Sequence, residues 1–169
     1  MKNRTCDQQE RLIQISGATL FYRVRGRGPL LLIIAGGHGD ADSTNDLRNK
    51  LIADYTVVTY DRRGLSRGEI DPASGSASIA THSDDVHRLL AAITTAPALV
   101  FGSGIAALTG LELVSRHPEQ VATLVAHEPP GWELLPNEER HRSARATEVK
   151  LNYRRSIYQK CRLVAREGV

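Results

Sequence analysis

Residues 11–25, RLIQISGATLFYRVR, alternate Leu20, Tyr22 and Val24 with polar neighbours, the two-residue period of a half-buried strand, and Ser16-Gly17 supplies a turn. The pattern predicts an antiparallel hairpin. After Gly26-Arg27-Gly28, residues 30–35 are apolar without interruption, which suits a central parallel strand covered on both faces, and the run stops at Gly36-Gly37-His38-Gly39. Asp42 to Asp46 offer N-cap chemistry for a helix reaching about Ala53. Residues 55–60 predict the next strand, which stops at Asp61-Arg62-Arg63-Gly64.

The polar, Gly/Ser-rich segment 65–78 reads as a loop. Residues 79–95 carry the helical period through Ile79, Val86, Leu89, Leu90 and Ile93, with Asp84 and Asp85 near the start. Residues 98–101 predict a buried strand that runs directly into Gly102-Ser103-Gly104-Ile105-Ala106-Ala107. This run opens a helix ending at His117-Pro118, and a strand over 121–126 follows, stopped by Glu128-Pro129-Pro130. From Glu138 the pattern is one long helix with Ala146, Val149, Tyr153, Ile157, Cys161 and Val164 on one face, a stripe that requires burial. The expected organisation is a body over 1–137 and a basic amphipathic helix over 138–169. Strands alternating with helices after a hairpin make the body α/β, a mostly parallel sheet with helices on both faces.

Composition narrows the partners. The net charge of +3 is concentrated late: residues 138–169 hold nine Lys and Arg against four Glu, so the body is close to neutral. That basic stretch lacks interleaved aromatics and its charges surround an apolar face, so it reads as a solvated helix and no nucleic-acid partner is expected. The start of the chain has no apolar run of signal-peptide type, and the longest apolar stretch is far too short to span a bilayer, so the expectation is a cytoplasmic protein with no membrane partner. Cys6 and Cys161 lie far apart with no C-x-x-C spacing, which supports neither a disulfide framework nor a thiolate metal site.

The candidate chemistry lies in the run 102–107. The order hairpin, apolar strand ending in a glycine turn, helix, strand ending in Asp61-Arg62-Arg63-Gly64, helix, strand entering a small-residue bend, helix ending in Arg116-His117-Pro118, strand resembles the α/β-hydrolase family over about residues 15–130. In that family the nucleophile occupies a tight strand-to-helix turn of pattern small-x-nucleophile-x-small. With Ser103 as nucleophile the small positions would fall on Phe101 and Ile105, whose bulk clashes. With Gly104 they fall on Gly102 and Ala106, which fit. The resemblance therefore implies glycine in the nucleophile position and no serine-type attack there, with Ser103 as a substitute polar group.

The resemblance further implies an oxyanion hole of backbone N–H groups from Ile105 and from the turn around Gly37. His38 and Glu128 are candidate pocket residues, each also readable as a solvated surface side chain. The family's acid and histidine follow the nucleophile near later strands. Of the downstream histidines, His117 closes a helix, His127 belongs to a strand end and His141 sits in the basic stretch, and none matches the catalytic histidine. The chain thus reads as a degenerate or truncated hydrolase relative, with no cofactor or metal, a small-molecule ligand, and a homodimer or partner covering an exposed sheet edge. An interaction or binding module that dimerises is one alternative, and two further ones stay open. One is an active hydrolase or lyase that acts on a small apolar substrate through the backbone amides. The other is a dinucleotide-binding protein, since Gly102-x-Gly104-x-x-Ala107 also fits G-x-G-x-x-G/A between a strand and a helix, with Glu128 ending the next strand.

Overall fold

The computed structural model describes residues 9–130. The expected boundary at 137/138 and the long helix over 138–169 lie outside the described residues. The hairpin forms from β1 (Gln9–Ile15) and β2 (Ala18–Gly26), turning at Ser16-Gly17. There follow β3 (Leu30–Ile34), α1 (Asn45–Leu51), β4 (Thr56–Asp61), the two-residue β5 (Glu69–Ile70), α2 (Ile79–Ile93), β6 (Ala98–Ser103), α3 (Ile105–Arg116) and β7 (Val121–His127). The sheet has seven strands in the order β1-β2-β4-β3-β6-β7, with β5 beside β2. β4, β3, β6 and β7 pair in parallel, while the hairpin and β5 add antiparallel pairings around β2.

The two-residue period of the strands assigns each side chain to a face. Leu20, Tyr22, Leu32, Ile34, Val58, Tyr60, Ala98 and Val100 form one buried layer, closed by Val86, Leu89 and Leu90 of α2 and by Ala106 and Leu113 of α3. Each of the larger aliphatic side chains contributes about 1.5–3 kcal/mol on burial. The alternate residues, Ile33 and Val57 among them, are buried on the opposite face, where α1 lies and Leu47 shares a cavity with Phe101. That face thins out toward β7, where Val125 is 51% exposed.

Local chemistry departs from the sequence reading in three places. α2 is capped not by its acids but by Ser78, whose hydroxyl accepts from the Thr81 N–H while Thr81 Oγ1 accepts from the Ser78 N–H. Asp85 is instead buried and pairs with Arg63. In the expected loop 65–78, the Gly17 carbonyl at the hairpin turn accepts from Asp71 N–H at 3.0 Å and from Ser74 Oγ at 3.1 Å. These bonds hold β5 and a 3₁₀ turn over Pro72–Ser74 against the hairpin. No side chain caps α1: its N-cap residue, Thr44, makes no side-chain bond to the helix, and Asp42 pairs with Arg23 and Arg67.

Asp61, the last residue of β4, is fully buried and ties two loops together. Its carboxylate accepts from Ala41 N–H at 2.7 Å, from Arg67 N–H at 3.1 Å and from Arg67 Nε at 2.6 Å. Arg67 continues the network to Asp42 at 2.9 Å and lies over the Phe21 ring, its guanidinium carbon 3.9 Å from the centroid. Removing the carboxylate leaves the buried Ala41 N–H without its acceptor, while Arg67, its side chain 35% exposed, keeps Asp42. Asp61→Ala is accordingly expected to cost about 1–3 kcal/mol in a denaturant titration.

A second prediction concerns acid. The Arg23 guanidinium beside Asp42 holds that carboxyl below its usual value, against an opposing contribution from burial. A lowered folded-state value means the stabilisation is present above the unfolded carboxylate value and is lost as pH falls through the folded one. The thermal midpoint should therefore decline as pH drops below about 4. Asp42→Asn should lower the midpoint at neutral pH and flatten the acid limb.

Candidate active site

β6 ends at Ser103 and α3 begins at Ile105, so Gly104 alone makes the bend between them. Its backbone sits at φ 60°, ψ −128°, a region that residues with a Cβ occupy only under strain. The bend is held from two sides, as Gly104 N–H donates to the His127 carbonyl at 2.9 Å and its own carbonyl accepts from Ala107 N–H at 3.0 Å. Small neighbours are required by contact. A Cβ on Gly102 would lie 2.7 Å from the Ala106 oxygen and 2.9 Å from Ala107 Cα, and one on Gly36 would lie 2.4 Å from the Ser103 oxygen. A Cβ on Gly104 would meet nothing within 4 Å. The apex of the bend thus faces open space, while its flanks are packed to contact.

Beside the bend lies an open cavity of about 560 Å³. Gly36, Gly37 and Gly39 form one wall, Leu47 of α1 and Phe101 give it an apolar side, and Ser103 and Gly104 complete it. Gly37 has φ 57° and its carbonyl accepts from the Arg62 guanidinium, which anchors the glycine loop to the end of β4. Ile105 is the first residue of α3, and the leading N–H groups of a helix have no partner within it. The structure thus brings Gly37, Ser103, Gly104 and Ile105 to one end of the sheet. His38 is exposed and does not line the cavity, and Glu128 is exposed beyond β7 with φ 49°.

One contact escaped the sequence reading. β6 and β7 pair so that Ser103 stands opposite His127, and the Ser103 hydroxyl lies 3.3 Å from His127 Nδ1. Phe101, two residues earlier on the same face, packs near the imidazole with ring centroids 6.1 Å apart. Both residues were visible at strand ends, but the register that sets them side by side includes a shift between Ala98 and Leu99, which spacing alone does not reveal. Asp61 was likewise visible as a strand stop but not as the buried hub of the loops. Among the described residues no group of three or more His, Cys, Asp and Glu is placed to hold a metal ion, and no helix is long and apolar enough to cross a membrane.

A family model described as alpha/beta hydrolase fold matches residues 29–159. The chain is 47% identical over 146 residues to the uncharacterized hydrolase YraK of Bacillus subtilis strain 168, covering 86% of this chain and 54% of YraK. It is 34% identical over 115 residues to a RutD protein of Azorhizobium caulinodans that is named as a carbamate hydrolase, covering 68% of this chain and 42% of that protein. The chain therefore spans about half the length of these curated relatives. Among solved structures, the thioesterase domain from the curacin biosynthetic pathway superposes with a TM-score of 0.68 at 22% identity, over 73% of this chain and 45% of that domain. E-2-(acetamidomethylene)succinate hydrolase gives 0.64 at 23%, over 71% and 44%, and both likenesses speak to the fold. The glycine-flanked bend between β6 and α3 thus belongs to a known architecture, and the chain is a member of the alpha/beta hydrolase fold family.

Proposed function

We propose that this chain is a hydrolase-family protein without a serine-type triad, whose cavity beside Gly104 receives the oxygen-bearing end of a small, largely apolar molecule. Gly104 stands where relatives of this fold carry their nucleophile. The observation that carries the reading is the bend itself: φ 60°, flanks packed to contact, and no side chain at the apex although a Cβ there would meet nothing. A residue without a side chain can neither attack an acyl carbon nor pass a proton to histidine. The anion-binding elements are backbone groups, so they do not depend on that side chain. The N–H groups of Gly37 and Ile105 are the donors assigned to the ligand oxygen. Leu47 and Phe101 supply the apolar contact. Hydrolase names among the relatives support the lineage.

A second reading, compatible with the first, is that β7 is covered by a second copy of the chain. Its supporting observation is the exposure of Val125 on a strand that is an edge among the described residues, since such an edge with apolar side chains invites pairing. Light scattering of the full chain should then give twice the monomer mass, and a strictly monomeric, non-aggregating protein would remove this reading.

Two outcomes test the main reading. Steady-state hydrolysis of p-nitrophenyl butyrate by the purified full chain should stay within about twofold of buffer, whereas sustained turnover that co-purifies with the chain would contradict it. The bend can be tested by stability. Gly102→Ala should cost about 1–3 kcal/mol through overpacking against α3. Gly104→Ala meets no neighbour, so its cost should be backbone strain alone, also about 1–3 kcal/mol, and Gly104→Ser should match it closely.

A further inference from the structure

The hydroxyl nearest the empty apex belongs to Ser103, and the nearest imidazole belongs to the next strand. Ser103 Oγ and His127 Nδ1 are 3.3 Å apart, the long separation often found between a nucleophile and its base when no substrate is bound. Their backbones are fixed. Ser103 and His127 are directly paired in the β6–β7 ladder, and the His127 carbonyl is bonded to the Gly104 N–H, so neither residue drifts relative to the bend. Phe101 flanks the imidazole on one side. Ser103 also lines the cavity with Gly36, Gly37 and Leu47.

We propose that Ser103 is a displaced nucleophile and His127 its base, a pair that accepts an acyl or phosphonyl group from small activated esters. The proposal rests on the cavity reading given above. Ser103 Oγ attacks the carbonyl carbon, a C–O bond forms, and the hydroxyl proton passes to His127 Nδ1. Collapse of the tetrahedral adduct breaks the bond to the leaving alkoxide, which takes the proton from His127. The product is an ester of Ser103. Water attacks it, and His127 takes the water proton and passes it to the departing Ser103 oxygen, which returns the free serine and a carboxylic acid. This release is too slow to lift steady-state ester hydrolysis above about twofold of buffer. With a fluorophosphonate the same attack forms a P–O bond, expels fluoride and stops there, because the phosphonyl ester resists hydrolysis. Slow release of the acyl group is expected, since the pair lies beside the bend and not at its apex.

The test is stoichiometric labelling of the full chain with a butyl fluorophosphonate, read by intact mass and peptide mapping. The pair predicts one label per chain on Ser103, loss of the label in Ser103→Ala, and at least a tenfold slower reaction in His127→Asn. Because Ser103 and His127 both sit at strand ends, circular dichroism of the two variants should match the unsubstituted protein. Labelling elsewhere, or labelling of Ser103→Ala at the original rate, would overturn the proposal, and an unchanged rate in His127→Asn would remove the base. Calorimetric titration with butyrate separates the two readings. Butyrate binding without labelling sinks the pair and leaves the cavity assignment intact, while the absence of both sinks the pair and the cavity assignment together.

Discussion

The close approach of three backbone segments at the end of β6 governs the rest of this molecule. Gly36 from the loop after β3 lies against the Ser103 carbonyl, and Gly102 lies against Ala106 and Ala107 of α3. The His127 carbonyl holds the amide of Gly104. None of these contacts leaves room for a Cβ at Gly36 or Gly102, and together they force the chain to reverse in a single residue. A strand that ends this abruptly aims the start of its helix into a cavity instead of into the sheet, which is the geometric basis of any chemistry at this end.

The surrounding charges serve that geometry. Asp61, buried at the end of the neighbouring strand, holds the 41–42 loop through Ala41 and the 62–67 loop through Arg67. Arg62 holds the Gly37 carbonyl from the same segment. The glycine-loop wall of the cavity is therefore fixed to the end of β4. A single buried carboxylate is economical here because it accepts bonds from two loops at once, and its own charge is balanced by the guanidinium of Arg67.

The order of strands and helices was legible from periodicity, because buried strands, a polar interval and amphipathic helices leave different spacing in the sequence. The apolar run 30–35 and the face Val86, Leu89, Leu90 declare themselves in this way. The small residues at 102, 104 and 106 also marked the bend, since only sterics explains three such positions between a buried strand and a helix. What stayed hidden depends on register and on distant pairing. Asp85 looked like a helix-start acid and is a buried partner of Arg63, while β5 exists because the Gly17 turn leaves a carbonyl to accept from Asp71. The neighbourhood of Ser103 and His127 follows from a shifted parallel ladder that no local pattern encodes.

The central claim is that backbone amides around a side-chain-free apex form the ligand site. Amide chemical shifts of the isotopically labelled full chain, followed during titration with butyrate, address it directly. The account predicts saturable shifts centred on Gly37 and Ile105, with smaller ones at Gly36 and Gly104. Shifts confined to other parts of the chain, with Gly37 and Ile105 unmoved at saturating ligand, would contradict it.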